Sequence, residues 1–102
     1  MSILLTSKDT KINYIFQDGE IDSLYLKVGY TSLPESRIMV VSIKTYLSRE
    51  DSLIDRYIYT DVPDNNFHVH IDIYEEKNLE YATLYAIKRF ESLGYKCEIL
   101  DD

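Results

Sequence analysis

The chain has 102 residues, 45% hydrophobic and 28% charged. These are the proportions of an ordinary globular protein rather than of a disordered tail, a collagen-like repeat or a bare coiled coil. Eleven basic against eighteen acidic side chains leave a net charge of −7, which argues against non-specific grip on DNA, RNA or anionic lipid, because such binding needs Lys and Arg to neutralise phosphates. The length suits one compact domain spanning residues 1–102.

Cys97 is the single cysteine, so no intramolecular disulfide can form. Small secreted domains usually need such staples, and the short apolar start Ile3-Leu4-Leu5 is too brief for a secretory leader, so the expected compartment is the cytoplasm. No stretch approaches the roughly 20 apolar residues that would span a bilayer.

Along the chain the first two thirds read with period two. Ile12–Phe16 and Ile21–Tyr30 flank Gln17-Asp18-Gly19-Glu20, and an Asp-Gly pair between β-favouring runs predicts a hairpin. Arg37–Leu47 alternates Met39, Val41 and Ile43 against Val40, Ser42 and Lys44, which predicts a further strand. Leu53–Thr60 sets Ile54 and Ile58 against Asp55, Tyr57 and Tyr59, and is expected to be a fourth strand. Beyond the turn-forming Asp61–Asn66, Phe67–Tyr74 places Phe67, Val69, Ile71 and Ile73 on one face and His68, His70, Asp72 and Tyr74 on the other. The period then changes: Leu79, Ala82, Ala86, Ile87, Phe90 and Leu93 form an apolar helical stripe, with Gly94 as its C-terminal cap. Tyr95–Leu100 is expected to be a short last strand. The expected fold is therefore α+β: a curved antiparallel β-meander of about five strands packed against one C-terminal helix, closed by a short final strand.

Charge is unevenly placed. Residues 50–76 carry eight acids, from Glu50 to Glu76, against Arg56 alone, so the whole net charge of −7 maps to this segment. Concentrated like charge repels itself, and a cationic partner relieves that cost. The acids interleave with tyrosines, which are common anchors at protein interfaces. The pattern points to a small acidic binding protein that neutralises a basic protein by occluding its active or nucleic-acid-binding site, without itself touching nucleic acid or membrane. An immunity protein against a nuclease toxin is the first version, and a phage-encoded inhibitor of a nucleic-acid-binding defence enzyme the second. The expected partner-binding residues are Asp55, Tyr57, Tyr59, Asp61, Asp64, His68, His70 and Asp72, with the carboxylates meeting Lys or Arg in the partner's cleft.

Enzymatic signatures are sparse. With glycine only at Gly19, Gly29 and Gly94, neither a P-loop nor a dinucleotide fingerprint can be built. His68-Val69-His70-Ile71-Asp72 would align two imidazoles and a carboxylate on one strand face, a ligand set suited to zinc or iron, and marks a metal-dependent enzyme as an alternative. Self-association through an exposed sheet edge is another. Cys97 alternates with Tyr95 and Ile99 and reads as a packing thiol. No cofactor is implied, and the chain is expected not to be an enzyme.

Overall fold

Five strands make an antiparallel sheet in the order β6-β5-β4-β1-β7, where β1 is Ser2–Thr6, β4 Ser23–Ser32, β5 Ile38–Tyr46, β6 Asn66–His70 and β7 Lys96–Leu100. The computed structural model describes residues 1–7, 11–32, 35, 37–62, 66–71 and 78–100. Strand periodicity sorts the side chains. Leu24, Leu26 and Val28 of β4 share a face with Met39, Val41 and Ile43 of β5 and with Phe67 and Val69 of β6. Helix α2, Leu79–Ser92, covers that face, so Ile3, Leu5, Leu26, Met39 and Val41 form one core with Ala82, Ala86 and Phe90. The expected α+β architecture, with a C-terminal helix and a short final strand, is what the chain adopts.

The topology adds what alternation alone misses. β1 is the strand that joins the sheet together, pairing with β4 on one side and with β7 on the other. Among the described residues β4, β5 and β6 alone follow one another as a meander, and α2 precedes β7, which closes against β1 at the opposite sheet edge from β6. The hairpin predicted around Asp18-Gly19 exists, but its arms are short. β2 (Ile12–Asn13) and β3 (Glu20–Ile21) form a separate ribbon, and β4 begins afresh at Ser23. Gly19 has φ of 125° with the Tyr14 ring alongside, so a Cβ there would be both strained and crowded.

The expected fourth strand over Leu53–Thr60 is a correction. Arg49–Leu53 is a helical turn and a half, α1, capped by the Ser48 hydroxyl accepting from the Asp51 amide at 3.2 Å, with Glu50 and Asp51 in its first turn. Those acids suit the positive end of the helix dipole. Of the predicted strand, Leu53 ends this helix, Ile54 and Asp55 form a turn, and residues 56–59 join no strand ladder. The end of the expected strand Phe67–Tyr74, with Asp72 and Tyr74, lies outside the described residues.

α2 begins at Asn78, whose side-chain oxygen accepts from the Tyr81 amide at 2.9 Å. It ends in a doubly hydrogen-bonded cap: the Gly94 amide donates to the Glu91 carbonyl, the Tyr95 amide donates to the Phe90 carbonyl, and the Tyr95 ring meets Phe90 edge-on. Asn78→Ala is expected to cost about 1 kcal/mol, the usual loss when an N-cap acceptor is removed. A urea unfolding midpoint that does not move would show that the start of α2 is held by packing instead.

Candidate functional site

α2 covers one side of the sheet, and the opposite side carries the polar parity: Lys27 and Gly29 from β4, Ser42, Lys44 and Tyr46 from β5, Asn66, His68 and His70 from β6. α1 contacts β4 and β5. Its C-terminus positions the rest of the site. Asp55 adopts φ of 52°, and the Asp55 and Arg56 amides donate to the Ser52 and Asp51 carbonyls, the same double cap that ends α2 but with aspartate in place of glycine. Its side chain helps fix that turn. The buried Tyr46 hydroxyl donates to the Asp55 carboxylate at 2.6 Å, and Lys44 approaches the same carboxylate at 3.5 Å.

The hydrogen bond from Tyr46, followed by the Lys44 charge, holds the Asp55 carboxyl below its ordinary range. Burial, reinforced by Asp55, pushes the Tyr46 phenol up to about 12. After this turn the chain runs extended along the outer edge of β5. The Ile58 amide donates to the Thr45 carbonyl at 2.9 Å, and the Thr45 hydroxyl donates to the Ile58 carbonyl at 2.7 Å. Ile58 packs against the core, so alternation sends Tyr57 and Tyr59 to the open side.

Further on, the chain pairs with the β2–β3 ribbon. The Ile15 amide donates to the Tyr59 carbonyl, Tyr14 bridges Thr60, and the Asp61 amide donates to the Asn13 carbonyl. Asp61 returns the contact, its carboxylate accepting from the Asn13 amide at 3.1 Å and from Nδ2 at 3.0 Å. This pairing brings Phe16 against Tyr59, and Tyr59 against Tyr57, each edge-on with centroids 5.4 and 5.6 Å apart. The result is a row of three rings facing solvent, with Phe16 80% exposed and Tyr57 and Tyr59 each 48% exposed. Leu53, Ile54 and Ile15 from the same segments are exposed as well.

Beside the row, between it and the sheet, lies a cavity of about 460 Å³. Lys27, Gly29, Ser42 and Lys44 line it from the sheet, and Tyr57, Tyr59 and Asn66 line it from the edge. Lys44 Nζ sits 5.9 Å from the centre of the Tyr57 ring.

The residues expected from the sequence to bind a partner thus fall into distinct groups. Tyr57 and Tyr59 stand together, with Asp55 at the foot of the same segment. His68 and His70 continue the open face along β6, exposed, beyond Asn66. Asp61 serves the ribbon, while Asp64 and Asp72 lie outside the described residues. Among the described residues no group of three or more His, Cys, Asp or Glu is placed to hold a metal ion. Cys97 is half-buried against the core, and burial, with Glu91 nearby, pushes its thiol up to about 11, away from nucleophilic use. No helix among the described residues is long and apolar enough to cross a membrane.

Sequence reading passed over Phe16, Lys27, Gly29 and Lys44. Phe16 offered a signal, a large apolar residue directly before the polar turn Gln17-Asp18-Gly19. The lysines offered none, since their juxtaposition depends on the register of β4 with β5. The chain is an antiparallel α+β sheet with one face under a helix and the other partly open. Compared with protein-family models, curated proteins and solved structures, the chain matches none.

Proposed function

We propose that this chain is a binding protein that docks a basic protein partner and blocks its active or nucleic-acid-binding cleft. The observation that carries the reading is the exposed row Phe16, Tyr59 and Tyr57. Edge-to-face rings in mutual contact are pre-ordered, so covering them buries apolar area at little further entropic cost. Exposed aromatic rows of this kind resemble the anchors that dominate interface energetics. Charge supports a cationic partner: acids Asp18 and Glu20 follow Phe16 in the ribbon, Glu50 and Asp51 lie in α1, and residues 50–76 hold the net −7. Asp55 and Asp61 contribute to that field while their carboxylates hold the local fold. Within this reading, an immunity protein against a nuclease toxin fits best, since an enzyme that binds phosphates presents a basic cleft to a cytoplasmic inhibitor.

The test is affinity capture from the native cell extract, followed by binding and inhibition measurements with the purified partner. The expected partner is basic, associates more slowly as salt is raised, and loses its activity on nucleic acid at one equivalent of this chain. Tyr59→Ala is expected to weaken binding by at least about tenfold, as for a central aromatic anchor. Capture of only a second copy of this chain, or affinity unchanged in both Tyr59→Ala and Phe16→Ala, would overturn the reading.

A further inference from the structure

The cavity on the open face has a composition at odds with the acidic chain around it. Lys27 and Lys44 are direct cross-strand partners in the β4–β5 register, and both point to the open side. Like charges placed opposite each other on a sheet destabilise it. Asp55 offsets this only in part, meeting Lys44 at 3.5 Å with both side chains more than half exposed. Lys27 has no ion pair among the described residues. Among the described residues the two ammonium groups and the one carboxylate leave a net charge of +1 at the cavity.

Gly29 lies one pair along the same strands, opposite Ser42. A Cβ on Gly29 would come within 2.9 Å of Ser42 Oγ, so the glycine keeps the cavity floor open and the Ser42 hydroxyl at its surface. Glycine inside a strand weakens it, and such a position often marks the close approach of a ligand. The Tyr57 and Tyr59 rings form the opposite wall, and Asn66 adds an amide at the rim. At about 460 Å³ the space exceeds what an inorganic ion fills, and it falls in the size range of small-molecule sites.

We propose that the cavity between Lys27, Lys44 and the Tyr57–Tyr59 wall binds a small aromatic carboxylate, its charge on the lysine pair and its ring against the tyrosines. A monoanion matches the net +1 and removes the lysine repulsion. A planar ring offers the tyrosines the same edge-to-face contact that they make with each other. Ser42 and Asn66 are placed to hydrogen-bond the carboxylate or a ring substituent. The site shares Tyr57 and Tyr59 with the proposed docking row and differs from it in using the lysine pair, whereas docking adds Phe16, which does not line the cavity.

The experiment titrates 2-naphthoate into the isolated full chain, following amide resonances, with 2-naphthalenemethanol as the uncharged isostere and inorganic phosphate as competitor. The expected result is saturable binding of the carboxylate, with the largest shifts at Gly29, Ser42, Lys44 and Asn66. Lys27→Gln is expected to weaken it by about tenfold, the effect of losing one charge-assisted contact. The same variant should unfold at an equal or higher urea concentration, because it removes a like-charge pair. Non-saturating shifts, equal binding of the alcohol, equal binding to the Lys27→Gln chain, or displacement by phosphate at matching concentration would each overturn the proposal. Because no protein partner is present, any of these failures leaves the docking of a basic protein standing. Loss of partner capture in the Phe16→Ala chain, conversely, bears on docking alone, because Phe16 does not line the cavity and the carboxylate titration is made on the unsubstituted chain.

Discussion

Replacing Phe90 by alanine is expected to lower the stability of the fold by about 3–5 kcal/mol, as for other fully buried aromatic rings. Phe90 is completely buried, lies on the sheet-facing stripe of α2 with Ala82 and Ala86, and anchors the cap that returns the chain to β7 through Tyr95. Ala82 and Ala86 are small and fully buried, so the helix lies close to the sheet at those positions. Phe90 supplies the bulk that fills the last turn. Its removal leaves a cavity beneath a helix that has no second large residue among its fully buried positions to collapse into it. Domains of this size have total stabilities of roughly 5–15 kcal/mol, so the loss takes at least about a fifth of the total. A urea titration read by far-ultraviolet circular dichroism should show the midpoint falling sharply with little change in slope. An unchanged midpoint would mean that α2 is not held to the sheet through this ring.

The helix and the sheet core were legible in the sequence because their apolar residues keep strict periods. Leu79, Ala82, Ala86 and Phe90 recur at helical spacing, and Met39, Val41 and Ile43 alternate with polar neighbours. β1 was not legible. It lies between two strands, with Ser2, Ile3 and Leu5 fully buried on both faces of the sheet, so it shows no alternation. Its run Ile3-Leu4-Leu5 is too short to distinguish from any other apolar triplet. The segment 49–60 misled for a different reason. Tyr57, Ile58 and Tyr59 do alternate as strand residues, but Ser48-Arg49-Glu50-Asp51 is a capped helix start, and tertiary pairing with Thr45 and with the ribbon decides where each half goes. The tyrosines were found as candidates from alternation with acids. The cavity could not be, because Lys27 and Lys44 are seventeen positions apart and meet only through the strand register.

The geometry also redistributes the roles of the acids. In the sequence Asp55 and Asp61 look equivalent, each an acid beside a tyrosine or a turn. In the fold Asp61 ties the chain to Asn13, and Asp55 closes the turn that aims Tyr57 and Tyr59 outward. Surface carboxylates with such internal partners still contribute long-range field, which steers association more than it holds a complex together. The proposed docking therefore places steering with the acids and affinity with the rings.

The contact between Tyr46 and Asp55 makes this arrangement sensitive to pH at both extremes. The folded Tyr46 phenol is raised from 10.0 to about 12. A group whose folded pKa lies above its unfolded value contributes stability that is complete below the unfolded value and disappears as pH rises through the folded one. The stabilisation is thus full below pH 10 and lost between about pH 10 and about pH 12. At about 1.4 kcal/mol per unit, and discounted for solvent on the carboxylate side, the loss from the phenol is roughly 1–2 kcal/mol. Asp55 acts in the opposite sense: its folded pKa is depressed, so its contribution is present above the ordinary carboxylate range and is lost as pH falls through the folded value. Tyr46→Phe should keep the buried ring while removing the hydroxyl, and with it the Tyr46 share of the alkaline limb, to which Cys97 also contributes, and part of the acid limb. Urea midpoints measured across pH would then run flatter above pH 10 in the variant than in the parent chain. The same substitution frees the Asp55 turn, so the edge-to-face contact of Tyr57 with Tyr59 should loosen, which tyrosine ring resonances would report. Parallel pH profiles for the two chains would show that the Tyr46 hydroxyl does not hold the turn, and that the capping bonds of Asp55 and Arg56 suffice to aim the tyrosine row.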